Sequence, residues 1–385
     1  MCNMLIFQRK IETRIRELLF KGKMITLLGP RQAGKTTLTK KIIGDFDNDG
    51  AYFDCQLAEV RKHFVVGEPD KLLKLVAGKR IVAFDEAQTI QNIGSILKVF
   101  FDTYPQVQII ATGSSSFDLA NKIKEPMTGR AFEFTLLPLS LEEIVSVKQI
   151  TTNDIYEYMR LGQYPAVVGA ETVREKEEAI KNISTNYLYK DIFVFEAIRN
   201  PKVFEDLLKL LAMQIGSMVS VNELAQSLGV TRTTVNRYMR LLEQSFIIKR
   251  IYSFSNNPRT ELKKAFKVFF LDVGVRNSLV DILSPVESRG EKGAIFENFF
   301  IMERMKSGTA ETFPPEIMFW RTRKGMEIDV IEKRGAAIHA YECKWQHENV
   351  KFTSFLEKYP NATVGVVTPE SVIAESSGRP VKTPI

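Results

Sequence analysis

A glycine-rich loop that directly follows an apolar run constrains this chain more than any other feature. The run Met24–Gly29 reads MITLLG, and Gly29–Thr37 continues as GPRQAGKTT. This is the spacing G-x-x-x-x-G-K-[ST], and the next residues, LTKKII, have a helical pattern. Glycines let the backbone curl so that its N–H groups point at phosphate oxygens, and the following helix presents its positive N-terminal end. The order strand, loop, helix therefore predicts a nucleotide site.

Each part of this loop has an expected role in holding a nucleotide with Mg²⁺. Lys35 supplies the long flexible cation that reaches the β- and γ-phosphates, and the hydroxyl of Thr36 would ligate Mg²⁺. The residues predicted to bind the nucleotide are Gly29, Pro30, Arg31, Gln32, Ala33, Gly34, Lys35, Thr36 and Thr37.

A second apolar run ends in two acidic residues. Ile81–Phe84 is followed by Asp85 and Glu86, so a buried strand would carry a carboxylate to the edge where the loop lies. Asp85 would hold Mg²⁺ through water, and Glu86 would orient and deprotonate an attacking water. Taken alone, an acid pair after a strand is equally typical of an ordinary helix N-cap. The loop upstream favours catalysis.

Polar residues at the end of the next strand are candidates for sensing the γ-phosphate. The run Val107–Gly113 has Thr112 as its second-last residue and is followed by Ser114, so either hydroxyl could hydrogen-bond the attacking water. We predict Ser114 or Thr112 in this role. The alternative is a glycine and serine turn without a catalytic part.

Arg130 stands in a loop before another apolar run and is a candidate for neutralising transition-state charge. It could act on the nucleotide of its own chain or on that of a neighbour in a homo-oligomer. A surface salt bridge is the alternative.

Apolar runs that alternate with helical patterns predict an α/β fold with a parallel sheet. Strands are expected at 24–29, 51–54, 80–85 and 107–113. With 385 residues, the chain is long enough for several domains. We predict an ATPase domain over 1–150, a helical region over 151–283 with a winged helix at about 200–275, and a C-terminal α/β domain over 284–385.

Several motifs together resemble one prokaryotic family. They are GPRQAGKTTL, VAFDEAQ, ATGSSSFDL, TGRAFEFTLLPLSLEE and GQYPAVV. The chain is similar, over nearly its whole length, to AAA+-like P-loop ATPases whose C-terminal half is a nuclease-like domain of unknown function. The resemblance implies that the nucleotide is ATP. No guanine-reading N-K-x-D follows the sensor strand.

The middle of the chain has the pattern of a helix-turn-helix. In the run Val219–Tyr238, Ser220 and Thr231 can cap two helices, and Gly229 permits the turn between them. Two apolar runs within 246–272 would form a wing. We expect three arginines on the second helix to face outward and to contact DNA: Arg232, Arg237 and Arg240. A lid on the nucleotide domain, or a dimer surface, is the alternative.

The charge distribution supports a nucleic-acid partner. The chain has a net charge of +7. The segment Thr231–Lys267 contains nine Lys or Arg and only two acidic residues, so it accounts for that whole excess. A local basic segment is an electrostatic footprint for a polyanion such as DNA, although a solvated surface has the same composition.

The C-terminal region contains a constellation of acids with one lysine. Glu297 lies in a helical pattern, Asp329 in a strand, and Glu342 and Lys344 two positions apart in the next strand, where they share a face. This order resembles the PD-(D/E)XK nuclease core, although Ile328 stands where proline is usual. A second metal site at these four residues, with cleavage of nucleic acid, is one prediction. The alternative is an inactive nuclease-like fold in which Glu327 and Glu332 face solvent.

Composition excludes several classes of protein. No apolar run approaches the roughly 20 residues that cross a bilayer. Three distant cysteines and three scattered histidines exclude a disulfide framework and a zinc motif of the usual spacing. We therefore expect a cytoplasmic protein without a membrane partner. Three functions remain: an ATPase acting on DNA, a nucleotide-dependent protein-interaction switch, or an ATP-regulated nuclease.

Overall fold

The computed structural model describes residues 7–114, 129–186, 198, 200–254, 265–322 and 324–376. The chain divides into two compact units. The first unit comprises Gln8–Pro138 and Gln244–Phe246. The second unit comprises Met1–Phe7, Leu139–Glu243 and Ile247–Ile385, and so contains both the predicted helical region and the predicted C-terminal domain.

The first unit is built on a parallel sheet of five strands with helices between them. The strands are β1 (Met24–Leu28), β2 (Gly50–Asp54), β3 (Ile81–Asp85), β4 (Gln108–Gly113) and β5 (Ala131–Thr135). The helices are α1 (Lys10–Leu18), α2 (Lys35–Gly44), α3 (Ala58–Arg61), α4 (Pro69–Val76) and α5 (Ile93–Thr103). The predicted α/β fold and its four strands are confirmed.

The strand order in this sheet is β2-β3-β4-β1-β5, so β4 lies between β1 and β3. Successive residues of each strand pack into different clusters: Ile25 and Leu27 in one, Met24 and Leu28 in the other. This alternation places a hydrophobic core on each face of the sheet, because neighbouring side chains of a strand point to opposite faces. Such double burial is typical of parallel sheets.

The first part of the second unit is helical and contains one hairpin, which precedes its last helix. Its helices are α6 (Leu141–Val145), α7 (Thr152–Leu161), α8 (Pro165–Val168), α9 (Val173–Asn186), α10 (Pro201–Met213), α11 (Val221–Ser227), α12 (Arg232–Gln244) and α13 (Val273–Leu279). The antiparallel hairpin consists of β6 (Ile248–Tyr252) and β7 (Phe266–Phe270). The hairpin follows α11 and α12 directly in the chain.

The rest of the second unit is a mixed sheet with one long helix. Helix α14 (Lys292–Gly308) precedes β8 (Glu316–Arg321), β9 (Glu327–Arg334), β10 (Ala337–Cys343), α15 (Thr353–Leu356), β11 (Thr363–Val367) and α16 (Pro369–Ser376). The strand order is β11-β10-β9-β8, with β10 and β11 parallel and the other pairs antiparallel. None of the helices in the described ranges combines the length and apolar character that a bilayer crossing requires.

Candidate nucleotide site and acidic cluster

The loop between β1 and α2 is folded around its lysine. The ammonium of Lys35 is buried and donates to the backbone carbonyls of Gly29, at 2.9 Å, and Pro30, at 2.8 Å. Gly34 has a φ of +97°, a conformation that residues with a Cβ rarely adopt. Helix α2 begins at Lys35, so its free N–H groups open onto the concave side of the loop.

Gly29 is required by a close approach of the backbone. A Cβ at this position would lie 2.1 Å from the carbonyl oxygen of Leu136, whose N–H donates to Leu28 at 2.7 Å. The segment after β5 therefore lies directly against the loop. Any larger residue at position 29 would push the loop away from it.

Arg9 holds the loop from the N-terminal side. Its guanidinium donates to the carbonyls of Ala33 and Leu137, both at 2.6 Å, and the side chain is only 7% exposed. A single buried cation thus ties the loop to the segment after β5. Arg9 was not predicted from the sequence, because an arginine before a helix is an ordinary surface residue in most chains.

Three hydroxyl groups converge on Asp85. Its carboxylate accepts from Thr36 Oγ1 at 2.7 Å, from Tyr52 Oη at 2.5 Å, and from Thr112 Oγ1. Burial and the neighbouring Asp85 carboxylate raise the pKa of Tyr52, so the phenol remains a hydrogen-bond donor. Thr36 and Asp85, each predicted to hold Mg²⁺, therefore lie next to one another. Thr112 is a partner of Asp85.

Glu86 follows with an unusual backbone. Its φ of +53° lies in the left-handed region, which costs energy for a residue with a side chain. Its N–H donates to Thr112 Oγ1 at 3.2 Å, and its carboxylate accepts from the side-chain amide of Gln88. The same amide donates to Ser114 Oγ at 3.0 Å. Glu86 and Ser114, both predicted from sequence, are thus connected through Gln88.

These oxygen atoms fit a magnesium ion. Mg²⁺ prefers oxygen ligands and is usually bound by one or two protein groups together with phosphate oxygens and water. Thr36 and Asp85 form such a pair at the mouth of the loop. Asp85 ends β3, and Thr36 lies in the first turn of α2, after the loop that follows β1. Ligands bind beyond the carboxyl ends of the strands in open α/β sheets.

Arg130 lies at the end of the sheet where β1 begins, opposite the end that carries the loop. Its backbone carbonyl accepts from Met24 N–H at 2.9 Å, at the start of β1, whereas the loop follows the end of that strand. Five residues of strand separate the two ends by about 16 Å. The Arg130 guanidinium pairs instead with Asp102 at 2.8 Å. The structure therefore does not bring Arg130 to the nucleotide loop of its own chain.

The predicted DNA-contacting residues differ in exposure. Thr231 caps α12 by accepting from Thr234 N–H at 3.2 Å, and Gly229 has a φ of +63°, as the predicted turn requires. Arg232 and Arg240 are exposed on α12. Arg237 is half-buried, with its guanidinium over the ring of Tyr238. The expectation that all three face outward is corrected for Arg237, because its side chain packs along the helix.

The basic segment is less basic than its composition suggests. Arg250 pairs with Glu243 at 2.8 Å, and Lys267 is buried in two ion pairs, so neither is available to a polyanion. Three further basic residues lie outside the described residues: Arg259, Lys263 and Lys264. Lys249 is exposed.

Lys267 reaches the acidic residues of the C-terminal sheet. Its ammonium lies 2.8 Å from Glu297 Oε1 and 2.5 Å from Glu327 Oε1, and its side chain is 3% exposed. Burial lowers the pKa of Lys267, but the two carboxylates outweigh this and raise it. Lys267 therefore supplies a fixed positive charge to the cluster. Lys267 was counted in the basic segment that the sequence offers to a polyanion, but its burial removes it from that role.

The four predicted residues are gathered in one neighbourhood. Lys344 lies 3.0 Å from Glu342, and Asp329 accepts from Cys343 N–H at 2.8 Å. Burial and the charge of Asp329 raise the pKa of Glu342 to about 7. Burial likewise raises the pKa of Asp329. The carboxylates are thus close enough to disfavour one another's ionisation.

This acidic cluster is not arranged as a metal centre. Across the described ranges, no three His, Cys, Asp or Glu side chains converge as ligands. The predicted second metal site at Glu297, Asp329, Glu342 and Lys344 is corrected accordingly. The physical reason is that Glu297 is paired with the Lys267 ammonium, while Asp329 accepts a hydrogen bond from the backbone N–H of Cys343.

Glu332 also differs from expectation. It is 1% exposed and accepts from Arg304, at 2.7 Å, and Arg334, at 2.7 Å. A glutamate with two arginine partners is stable in a buried position, so Glu332 belongs to the core of the sheet domain and not to its solvent side.

A family model described as "AAA domain" matches residues 21–145. This segment contains the loop, Asp85, Glu86 and the whole five-stranded sheet. Residues 21–145 are thus similar in sequence to an AAA domain. Two further models, each described as a domain of unknown function, match residues 152–285 (DUF8612) and residues 292–380 (DUF4143).

Two relatives match most of the chain at low sequence identity. An uncharacterized protein of Mycobacterium tuberculosis is 25% identical over 359 residues, which is 89% of this chain and 74% of the relative. An uncharacterized protein of Methanocaldococcus jannaschii is 24% identical over 348 residues, or 85% and 75% of the two chains.

Solved structures with some likeness to the chain are distant. The ORC1 protein of Aeropyrum pernix in complex with DNA is 14% identical, covers 73% of this chain and 94% of its own, and has a TM-score of 0.35. The Pif1 helicase from Candida albicans is 12% identical over 47% and 48%, with a TM-score of 0.26. Neither likeness is close enough to carry an argument about function.

Two residues of the AAA+-like domain escaped the sequence analysis. Tyr52 stands inside an apolar run, where an aromatic residue is normally core, and Gln88 stands in an unremarkable turn. One signal was available for Tyr52. It lies on the strand that adjoins β3, so a polar tip near Asp85 could have been anticipated from the order of strands.

Proposed function

We propose that this protein binds ATP with Mg²⁺ at Gly29–Thr37 and hydrolyses it. The hydrogen bond of 2.7 Å between Thr36 Oγ1 and Asp85 Oδ2 carries the proposal, because it joins the phosphate-binding loop to the end of β3 at one point. The match of residues 21–145 to the AAA family supports the same function.

Binding would rely on the loop and on Lys35. The backbone N–H groups at the start of α2 face the phosphates, and Lys35 neutralises their charge. Lys35 now donates to the carbonyls of Gly29 and Pro30, and phosphate oxygens would compete for the same ammonium. Mg²⁺ bound near Thr36 and Asp85 would offset the negative charge that develops on the phosphates.

Hydrolysis requires one water and one base. The water oxygen bonds to the γ-phosphorus, the bond from that phosphorus to the β–γ bridging oxygen breaks, and the electron pair leaves with ADP. Glu86 accepts the proton of the attacking water. Glu86 directly follows Asp85, the last residue of β3, which supports this assignment.

The decisive experiment is a steady-state measurement of phosphate release from Mg²⁺-ATP. Lys35→Ala and Asp85→Asn should each lower the rate to the level of a protein-free blank. Lys74→Ala, an exposed lysine on α4 of the same unit, is the matched control and should keep the wild-type rate. Wild-type turnover in Lys35→Ala would refute the assignment of the site.

We further propose that DNA is the partner of the α11–α12 motif. Arg232 and Arg240 on α12 and Lys249 on β6 are exposed, so three cations remain available after Arg250 and Lys267 are accounted for. Cleavage of nucleic acid is not part of this proposal, because the described residues bring no three His, Cys, Asp or Glu side chains together as metal ligands.

The DNA proposal is tested by fluorescence anisotropy with a labelled duplex at several salt concentrations. Arg232→Ala with Arg240→Ala should weaken binding and reduce the slope of log affinity against log salt by about 2, one contact for each charge. Arg174→Ala with Lys202→Ala removes two exposed charges of the same unit and is the control. Equal binding by both double variants would instead favour a protein partner.

A further inference from the structure

Gln88 connects two residues of the proposed ATPase site. It lies in the turn Ala87–Thr89, which directly follows Glu86. Its Nε2 donates both to the carboxylate of Glu86 and to Ser114 Oγ, the latter at 3.0 Å. Ser114 is buried directly after β4. The amide therefore joins the ends of β3 and β4, two neighbouring strands of the sheet.

The orientation of this amide is set by chemistry. An amide has one donor end and one acceptor end, and a carboxylate can only accept. Turning the Gln88 amide over would place Oε1 against the negative charge of Glu86. Nε2 must therefore face Glu86, and Oε1 must point elsewhere.

Oε1 of Gln88 is a buried acceptor with no hydrogen-bond donor among the described residues. Buried carbonyl oxygens nearly always have a partner, so an exception calls for an explanation. The atom belongs to an amide that touches the proposed base. A donor that arrives only during the reaction would account for it.

The side chain of Glu86 depends on Gln88 for its direction. The backbone of Glu86 is held in the left-handed region and its N–H is bonded to Thr112. Gln88 Nε2 is the donor that the structure places on its carboxylate. Without that bond the carboxylate could rotate freely about its side-chain bonds.

We propose that Gln88 is the positioning residue of the hydrolytic step, orienting Glu86 and accepting a hydrogen bond from the attacking water at Oε1. A water that donates one proton toward Glu86 and the other to Gln88 keeps a lone pair free for the γ-phosphorus. Glu86 accepts the water proton that is directed toward its carboxylate. Gln88 only accepts a hydrogen bond from the other proton, so its own protonation does not change. This inference rests on the proposed ATPase function.

The test compares turnover with binding in Gln88→Ala and in Gln88→Glu, which keeps the shape but lacks the donor. We expect kcat to fall at least tenfold in both, with the Kd for a fluorescent ATP analogue within twofold of wild type. Gln91→Ala, an exposed glutamine three residues further on, is the matched control and should be unchanged. If Gln88→Ala fails to fold by circular dichroism, Gln88→Glu carries the test.

A double variant separates positioning from a general structural role. If Gln88 acts through Glu86, adding Gln88→Ala to Glu86→Gln should lower kcat by less than twofold further. Three outcomes would each overturn the inference. They are additive losses in the double variant, an unchanged kcat in Gln88→Ala and Gln88→Glu, and a loss of ATP affinity equal to the loss of kcat. Failure of the proposed function is a distinct result, since wild type itself would then not exceed the Lys35→Ala rate.

Discussion

Thr36 Oγ1 lies 2.7 Å from Asp85 Oδ2, although the two residues are 49 positions apart in the chain. The contact joins the loop after β1 to the end of β3, across a sheet in which β4 separates those strands. Tyr52 and Thr112 bind the same carboxylate. Asp85 is thus oriented by hydroxyl groups from three parts of the chain.

Tyr52→Phe should weaken the response to Mg²⁺ because it removes one of these hydroxyl donors and nothing else. Loss of a hydrogen bond worth about 1 kcal/mol corresponds to roughly a fivefold rise in the Mg²⁺ concentration for half-maximal ATP hydrolysis. The measurement is a Mg²⁺ titration at saturating ATP. Tyr104→Phe, whose hydroxyl bonds to Asp70 in the same unit, is the control. Identical titrations for wild type and Tyr52→Phe would contradict the expectation.

Arg9→Ala should loosen the phosphate-binding loop. The change leaves the carbonyls of Ala33 and Leu137 without their charged donor, at a cost of about 2 kcal/mol in the free energy of unfolding. ATP affinity should fall with it, since Ala33 belongs to the loop. Thermal unfolding and ATP titration check both effects.

The matched control for Arg9 is Arg14→Ala. Arg14 lies on α1 and forms a surface pair with Glu17, at 2.8 Å, so its loss should change stability by less than about 1 kcal/mol. Equal effects of the two substitutions would show that Arg9 does not support the loop.

Lys267→Met should destabilise the second unit by about 3–5 kcal/mol, because it leaves Glu297 and Glu327 without the cation between them. Lys249→Met, on the partner strand of the same hairpin but exposed, should have little effect. Denaturant unfolding measures the difference.

A second substitution distinguishes charge from packing at Lys267. Adding Glu297→Gln to Lys267→Met removes one unpaired carboxylate and should restore part of the lost stability. A further loss in the double variant would mean that the methylene chain of Lys267, not its charge, supports the cluster.

Stability should fall as the pH rises from about 5 to 8. Burial and Asp329 raise the pKa of Glu342 from 4.5 to about 7 in the folded protein. A carboxyl with a raised folded pKa stabilises the fold fully below its unfolded pKa, and this contribution is lost as the pH rises through the folded value. After allowance for solvent screening, the change is about 2 kcal/mol.

Glu342→Gln should flatten this pH dependence because glutamine does not titrate. The measurement is the thermal midpoint at several pH values, and Glu357→Gln, an exposed residue of the same unit, is the control. A slope in Glu342→Gln as steep as in wild type would assign the pH dependence to other groups.

Local patterns carried much of the prediction. The strands β1, β3 and β4 each stand where an apolar run stands in the sequence, because a strand buried on both faces is mostly apolar. The loop Gly29–Thr37 was recognisable because close backbone approach and left-handed backbone restrict the residues allowed at Gly29 and Gly34. Those restrictions act within a few residues and so leave a mark on spacing.

The partners of charged residues were not predictable in the same way. Lys267 and Arg130 each looked like a cation available to phosphate, yet one is buried between Glu297 and Glu327 and the other pairs with Asp102. An ion pair forms wherever the folded chain brings opposite charges together, and sequence separation does not limit it.

The amino-acid sequence by itself determined the α/β class, the order of the elements and the loop with its lysine, since each depends on neighbouring residues. Only the tertiary structure decided that Asp85 collects Thr36, Tyr52 and Thr112, and that Gln88 joins Glu86 to Ser114. These contacts cross between strands, where a distance of about 5 Å separates residues that are dozens of positions apart in the chain.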